Sequence, residues 1–391
     1  MLSEPFTLIG QLNYRQRRER FGILPQDRLR HMLIVGQTGT GKSTLIETMA
    51  RSDMEQGNGL MVVDPHGDLI EHLLNAVPKH RKNDLVLLDP ADKASVLPFN
   101  PLAERLSQDR SLAASAIIAA FTKTWPDFWG PRSEHLLRMA LLALLESPGM
   151  SLLDLSRFLS DARWRESLSA RVKDEVVRKF WQQEFAQQPE RLAAESLAPL
   201  QNKVGALVGH PILRRILGQS KSRLRLEKVL SDGKILLINL SRGRIGLDAC
   251  VLLGSLLLAL FEAAVLARAH QSEAERKPFY LFVDEFSLFA NPGFVALLSE
   301  GRKYGLGVTL AQQSLASLSP PLQADILTNA GTLVALRLGA LDARLLAPHL
   351  APVYTPDDLM MLPAHEFAIR MLIRGKAGRA FSGEIKYRSL I

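Results

Sequence analysis

Short runs of consecutive apolar residues occur near both ends of the chain and are bounded by Gly, Asp or Pro. Their length and composition are typical of strands buried on both faces of a parallel sheet. Helical patterns such as Ser43–Arg51 and Pro292–Tyr304 lie between them, so the alternation predicts a three-layer α/β fold. The predicted strands are Met32–Val35, Leu60–Val63, Leu85–Leu88, Ile235–Leu240, Tyr280–Val283, Val308–Ala311, Leu333–Leu336 and, as the last strand, Phe367–Ile373.

The middle of the chain has a different pattern. From about Leu102 to Leu230 the strand-like runs are absent, and apolar residues recur at helical spacing. We therefore predict three parts: residues 1–101 with the first half of the α/β domain, an all-α insertion at 102–230, and the second half of the α/β domain at 231–391. The α/β core is predicted to be discontinuous in sequence.

Composition narrows the class of protein. The 391 residues are 47% hydrophobic and 23% charged, which is globular composition and excludes disorder as the main state. The net charge of +8 permits a polyanionic partner such as nucleic acid. A single cysteine, Cys250, excludes an internal disulfide. Glu262 interrupts the most apolar stretch, Ala249–Phe261, so we predict a buried helix there, no transmembrane segment in this chain, and a cytoplasmic location.

A phosphate-binding loop is the strongest chemical signal. The segment Gly36–Ser43 directly follows the predicted strand Met32–Val35, and a predicted helix begins after it at Thr44. This is the context that a Walker A motif requires. Its glycines let successive N–H groups face a phosphate chain, Lys42 is predicted to reach the β- and γ-phosphates of ATP, and Ser43 is predicted to ligate Mg²⁺. The motif consists of Gly36, Gln37, Thr38, Gly39, Thr40, Gly41, Lys42 and Ser43.

A pair of acids ends the strand Phe279–Val283. Ligands of open α/β sheets bind at the carboxyl ends of the strands, where this pair lies. Asp284 is therefore predicted to be the Walker B acid that holds Mg²⁺, and Glu285 the general base that polarises the attacking water. Lys42 and Asp284 are 242 residues apart, and the all-α insertion accounts for most of that separation.

Four further residues are candidates for contact with the γ-phosphate. Gln312 and Gln313 follow the strand Val308–Ala311, and Gln313 is the preferred sensor. Arg302 and Arg337 are candidates for an arginine finger that neutralises charge in the transition state. Arginine is also common at helix and strand ends for structural reasons, and that alternative stays open for both.

Together these motifs resemble the type IV secretion coupling proteins of conjugation, within the HerA and FtsK group of RecA-like DNA-pumping ATPases. The resemblance covers about residues 30–100 and 230–375, and for the middle of the chain it is architectural. Besides Walker A it rests on Val62–Leu69, Pro98–Leu102, Asp232–Ser241, Asp284–Glu285, Gly301–Gly305 and Gln313–Ser314.

The resemblance implies a RecA-like P-loop NTPase core with an inserted all-α domain. It further implies a homo-oligomer, a hexamer by analogy, that binds ATP and Mg²⁺ between subunits and moves DNA of any sequence through a central channel. Relaxase or secretion-system proteins are implied partners of the insertion, and association with a membrane would come through partners. Asp64 and Asp68 either position the metal-bound water or a DNA-facing loop, or simply cap a turn. The chain lacks the N-terminal membrane anchor of such proteins, which leaves open a naturally soluble ATPase or a domain of a longer one.

DNA contacts are predicted at three basic clusters: Arg15–Arg20, Arg28 with Arg30, and Lys221 with Arg223 and Arg225. The alternative for each cluster is a solvated basic face. For the whole chain, two other functions compete with the DNA motor. One is a secretion ATPase that acts on protein, and the other is a nucleotide-switched recruitment module with little turnover.

Overall fold

The computed structural model describes residues 5–13, 18–103, 110–290 and 292–385. These residues divide into two compact units. The sheet unit comprises Met1–Leu87, Lys228–Asn239 and Arg268–Ile391, and the helical unit comprises Leu88–Glu227 and Leu240–Ala267.

Thirteen strands occur in the described residues. They are β1 Thr7–Leu12, β2 Arg20–Ile23, β3 Met32–Val35, β4 Gly59–Asp64, β5 Leu85–Leu88, β6 Ile235–Asn239, β7 Phe279–Val283, β8 Leu306–Gln312, β9 Thr332–Ala335, β10 Glu366–Arg370, β11 Leu372–Ile373, β12 Lys376–Ala377 and β13 Phe381–Glu384.

The described helices are α1 Pro25–Arg28, α2 Lys42–Glu55, α3 Asp68–Ala76, α4 Arg110–Thr124, α5 Pro131–Glu146, α6 Asp154–Ser160, α7 Ala162–Ser169, α8 Glu175–Lys179, α9 Glu190–Gly209, α10 Pro211–Leu217, α11 Leu226–Ser231, α12 Arg242–Ile245, α13 Leu247–Leu266, α14 Pro292–Glu300, α15 Pro320–Asn329, α16 Ala340–Leu350 and α17 Pro356–Met360. Shorter 3₁₀ turns connect several of them, including Gly301–Tyr304 before β8.

One sheet organises the described part of the sheet unit, with the strand order β2-β1-β13-β10-β9-β3-β8-β7-β4-β6-β5. From β9 to β6 the neighbouring strands are parallel, and β3 lies between β8 and β9. Strand β10 is antiparallel to β9 and β13, and β1 is antiparallel to β13 and β2. All residues of β3, β4, β6, β7 and β8 are buried, as consecutive apolar runs predict for strands covered on both faces.

The predicted mostly parallel α/β fold is confirmed, with differences at the antiparallel side. The predicted last strand, Phe367–Ile373, is interrupted after Arg370: Leu372–Ile373 pairs with β12 in a separate hairpin. It is not the last strand either, since β13 follows and pairs with β10. Strands β1, β2 and β13 were not predicted, because they are partly exposed and lack a long apolar run.

The helical unit differs from the predicted insertion at 102–230. It begins at Leu88 and also takes in Leu240–Ala267, which the prediction assigned to the second half of the α/β domain. Helix α13 packs against α4, and its side chains, including Cys250, are mostly buried. Among the described residues one helical stretch, Leu247–His270, is long and apolar enough to span a membrane, and 83% of its most apolar window is buried within the structure.

A buried charge pair lies in the sheet unit. The Arg28 guanidinium, 1% exposed, is 3.4 Å from the carboxylate of Asp53, which is fully buried, and lies 4.4 Å from the ring centre of Tyr280. The predicted DNA contact by Arg28 is therefore wrong, because this side chain packs inside the protein. Of the cluster at Arg15–Arg20, positions 14–17 lie outside the described residues, and Arg18 pairs with Glu384.

His31 is a second buried titratable group, between α1 and β3. Its Nδ1 accepts a hydrogen bond of 3.1 Å from the Val308 N–H, so this nitrogen carries no proton. Burial lowers the pKa of His31 to about 4, and a hydrogen bond to the Leu298 backbone offsets this only in part. The residue has a positive φ of 61°.

This burial predicts a pH-dependent stability. The folded pKa of about 4 lies below the ordinary value of 6.5, so the folded state excludes a proton that the unfolded state binds. The contribution of His31 is fully present above pH 6.5 and is lost as the pH falls towards 4, by about 3 kcal/mol in total. Urea unfolding across this pH range should show that loss in the unmodified protein and a shallower pH dependence in His31→Asn.

Asparagine suits the test because it tolerates a positive φ and does not titrate. The control is His80→Asn, at an exposed histidine of the same unit, which should leave the pH dependence unchanged. An equal loss of stability in wild type and His31→Asn would refute the assignment.

Candidate nucleotide site

The phosphate-binding loop runs from the end of β3 to the start of α2. Gly39 and Gly41 have φ angles of 76° and 113°, which favour glycine. A Cβ at Gly36 would lie 2.8 Å from both Leu336 Cβ and Thr40 Oγ1, so the loop passes too close to β9 for any side chain. The first N–H groups of α2 have no partner within the helix and are positioned to bind an anion.

Lys42 is held inside this loop. Its Nζ donates hydrogen bonds to the backbone oxygens of Gly36, at 2.8 Å, and Gln37, at 3.3 Å. Burial lowers the pKa of Lys42, whereas the nearby charges of Asp284 and Glu285 raise it. The amino group therefore lies within the electrostatic reach of the predicted Walker B acid, Asp284, and of the predicted general base, Glu285.

Ser43 and Asp284 are brought together by the sheet order. Strand β8 separates β3 from β7, and all three are parallel, so their carboxyl ends meet at one edge. The Ser43 hydroxyl donates a hydrogen bond of 3.1 Å to Asp284 Oδ2. The second carboxylate oxygen of Asp284 accepts the N–H of Glu285 at 3.0 Å. A hydroxyl and a carboxylate at this spacing form a ligand pair suited to Mg²⁺.

Glu285 lies where the chain turns sharply after β7. Its φ of 45° is unusual for a residue other than glycine, and such strain is retained where the surrounding structure enforces it. The side chain is half-buried, next to Asp284 at the edge that carries the loop.

The two glutamines after β8 have different surroundings. Gln312 is buried, and its side chain both donates to Ser287 Oγ and accepts the Ser287 N–H, each at 2.9 Å. Gln313, the preferred sensor, is exposed at the same edge. Gln312 thus fixes the segment that follows Glu285, whereas the Gln313 side chain is available to a ligand.

The two candidate arginines lie at opposite edges of the sheet. Arg337 follows β9, and its backbone oxygen accepts the N–H of Gln37 at 2.9 Å, so it adjoins the phosphate-binding loop. Arg302 is exposed and precedes β8, whose length of 7 residues separates it from the carboxyl edge by about 20 Å. Arg302 cannot reach the loop of its own chain.

Asp64 caps the turn after β4. Its carboxylate accepts the N–H groups of His66, Gly67, Leu69 and Ile70, at 2.7 to 3.4 Å. Burial raises the pKa of Asp64; the bond from His66 opposes this shift, and the neighbouring Asp284 adds to it. The structure thus favours the capping alternative for Asp64. Asp68 is exposed at the start of α3.

Two residues at this edge were not predicted. The His365 N–H donates a hydrogen bond of 2.9 Å to Thr40 O, and a Cβ at Gly41 would lie 2.9 Å from His365 Nδ1. Asp342 is buried and accepts the N–H groups of Leu315 and Ala316, which orders the chain after Gln313. Neither residue belongs to a recognisable motif, and a positive φ such as the 65° of His365 leaves no sequence signal in a histidine.

The contrast between the glutamines gives a prediction. Gln312→Ala removes both hydrogen bonds between the buried Gln312 side chain and Ser287, which should lower the free energy of unfolding by about 1–3 kcal/mol. Gln313→Ala, at the exposed neighbour, should leave stability unchanged and, if Gln313 senses phosphate, lower the rate of nucleotide hydrolysis. Thermal unfolding and steady-state hydrolysis measure both effects. Equal melting temperatures for the two variants would contradict the role given to Gln312.

Among solved structures, the chain is similar to the plasmid coupling protein TrwB in complex with ADP and Mg²⁺, with 16% identity, a TM-score of 0.66, and coverage of 94% of this chain and 87% of the other. It is also similar to VirB4 of Thermoanaerobacter pseudethanolicus, with 14% identity, a TM-score of 0.67, and coverage of 99% and 97%. These identities support the shared fold alone, and no curated protein matches the sequence.

The family comparison covers most of the chain. The family model for the type IV secretion-system coupling protein DNA-binding domain matches residues 22–325. That range contains the phosphate-binding loop, Asp284, Glu285 and the helical unit. The chain belongs to the family of type IV secretion-system coupling protein DNA-binding domains.

Proposed function

We propose that this chain is an ATP-driven motor that hydrolyses ATP with Mg²⁺ and moves or remodels DNA as a ring, in conjugative transfer or type IV secretion. The observation that carries the chemistry is the contact between Ser43 Oγ and Asp284 Oδ2 beside the loop that holds Lys42. The related fold of TrwB has been solved with ADP and Mg²⁺, which agrees with this choice of ligands.

The residues fit a magnesium ion bound together with a nucleotide. No group of three His, Cys, Asp or Glu side chains that could hold a metal was found in the described ranges. Mg²⁺ often keeps several waters and takes only one or two protein ligands plus phosphate oxygens. Ser43 and Asp284 supply that pair, and the bound ion would neutralise charge on the β- and γ-phosphates.

Each remaining residue of the site has a separate role in hydrolysis. The N–H groups of the loop from Gly36 to Thr44 cradle the phosphates, and Lys42 moves from the backbone oxygens that it now contacts to the β- and γ-phosphates. Glu285 accepts a proton from the attacking water, for which its position beside Asp284 is suitable. Gln313 senses the γ-phosphate through its exposed side chain.

Oligomerisation completes the site. Arg337 adjoins the loop of its own chain, whereas Arg302 can serve only the nucleotide of another subunit, because it lies at the opposite edge of the sheet. A contact between opposite edges of successive copies is heterologous, and such contacts form a ring when the rotation between copies closes. A homo-hexamer with nucleotide between subunits fits this arrangement. We assign the motor to the cytoplasm, with relaxase or secretion-system proteins as partners of the helical unit.

The base assignment predicts the behaviour of Glu285→Gln. The substitution keeps the size and shape of the side chain but removes its basicity, so hydrolysis should fall by about 10²–10⁴-fold. ATP binding should persist, since neither the loop nor Ser43 changes. Steady-state phosphate release and fluorescent-nucleotide binding measure the two properties.

The control is Glu71→Gln, at an exposed acid of α3 in the same unit, and it should leave both properties unchanged. Unchanged hydrolysis in Glu285→Gln would remove Glu285 from the mechanism. Loss of ATP binding in that variant would assign the side chain to the nucleotide rather than to water.

The motor assignment predicts a dependence on DNA and on assembly. The hydrolysis rate per subunit should rise with protein concentration and be stimulated by single- or double-stranded DNA, and moderate salt should reduce the stimulation. Arg302→Ala should lower the rate per subunit without weakening nucleotide binding to the monomer. Hydrolysis that is indifferent to DNA at every concentration would favour a motor that acts on protein. Nucleotide binding with negligible turnover would favour a recruitment module.

A further inference from the structure

A cavity of about 390 Å³ lies in the sheet unit at the amino ends of β3 and β9. Its walls come from the residues just before these strands, from the ends of α14 and α15, and from the end of β10 with the adjoining hairpin. This edge of the sheet is opposite to the phosphate-binding loop, which follows the carboxyl end of β3. The cavity is therefore separate from the nucleotide site of the same chain.

Three arginines line this cavity: Arg30, Arg302 and Arg370. Among its lining residues there is no carboxylate, and within the described ranges none of the three guanidinium groups has an ion pair or a hydrogen bond. The fourth basic residue in the wall, His31, is neutral at pH 7 because burial lowers its pKa to about 4. The cavity thus carries three positive charges with no compensating acid in its lining.

The other polar groups of the cavity are already engaged. The hydroxyls of Ser299 and Thr328 donate to the backbone oxygens of their own helices, at Ala296 and Ala324. The side-chain amide of Asn329 donates to Asp325 O. The guanidinium groups are consequently the principal hydrogen-bond donors left for a ligand.

The wall of the cavity is closely packed rather than open. The Gly331 N–H donates a hydrogen bond of 2.6 Å to Arg30 O, and a Cβ at Gly331 would lie 2.7 Å from Leu372 Cδ1 and 2.9 Å from Arg30 Cβ. The backbone that carries Arg30 is thereby fixed against the start of β9. A site whose backbone is already fixed loses less conformational entropy on binding a ligand than a flexible site does.

We propose that this cavity is a second anion site that binds a phosphate group through Arg30 and Arg370, whereas Arg302 in the same wall is left to the nucleotide of a neighbouring subunit. Phosphate fits better than a carboxylate, because two planar guanidinium groups can use more acceptor oxygens than the two of one carboxylate. The same chemistry is present in a free phosphoanion and in the backbone of a nucleic acid. The proposal goes beyond the proposed motor, since binding at this site does not require hydrolysis.

The test uses the full chain with Lys42→Ala, which weakens phosphate binding at the loop. Inorganic pyrophosphate is titrated by calorimetry, and fluorescein-labelled oligothymidylate by fluorescence anisotropy. Adding Arg30→Gln and Arg370→Gln should weaken binding of at least one probe by about tenfold or more, since charged hydrogen bonds to two guanidinium groups are lost. Arg302 is left intact so that its role towards a neighbouring nucleotide does not enter the result.

The matched control removes two positive charges outside the cavity, by Lys303→Ala and Arg379→Ala at exposed positions of the same unit. This control should change binding far less. Weakened pyrophosphate binding identifies a site for free phosphoanions, and weakened oligonucleotide binding alone identifies a site for the nucleic-acid backbone. No binding of either probe, or equal weakening in the control, overturns the proposal.

Folding is checked by the thermal midpoint of each variant. If the glutamine pair unfolds, the pair Arg30→Lys and Arg370→Lys replaces it, which keeps the charge and loses the planar fork. It should show an intermediate loss of binding, and unchanged affinity for both probes would count against the site. Hydrolysis with Lys42 intact is measured separately, so that a failure of this proposal and a failure of the motor assignment remain distinguishable.

Discussion

The site depends on one constraint: a hydroxyl from the start of α2 must meet a carboxylate from the end of β7. The Ser43 Oγ to Asp284 Oδ2 contact joins residues 241 positions apart in the chain. It exists because β3, β8 and β7 are parallel neighbours whose carboxyl ends share an edge. The turn after β7, the buried Gln312 and the fixed course of the loop past β9 all preserve that alignment.

The sequence predicted the central strands and the loop because both depend on local patterns. A strand buried on both faces requires a continuous apolar run, and a phosphate-binding loop requires glycines and a lysine at fixed spacing. Strands such as β13, with the sequence FSGE, have no such requirement, because their partners supply the burial. The same limit applies to α13, whose apolar residues predict burial but not the unit in which it is buried.

The positions of individual side chains in the site could not be predicted from the sequence, because they depend on the three-dimensional structure. Gln312 is the last residue of β8 and is buried, whereas Gln313 follows the strand and is exposed, and the sequence does not show where the strand ends. Arg302 and Arg337 are both suited to bind phosphate, and they lie at opposite ends of the parallel strands because Arg302 precedes β8 whereas Arg337 follows β9. His365 reaches the loop because β10 runs antiparallel, so that the residue before it lies at the carboxyl edge of β3.

The contact of His365 with the loop also orders the events of synthesis. The phosphate-binding loop is translated early, but Thr40 O receives its bond from the His365 N–H, and His365 O in turn accepts the N–H of Ile385. Translation must therefore pass His365 before the backbone behind the loop can form this bond. Nascent chains that have exposed only the first half of the sheet lack this support.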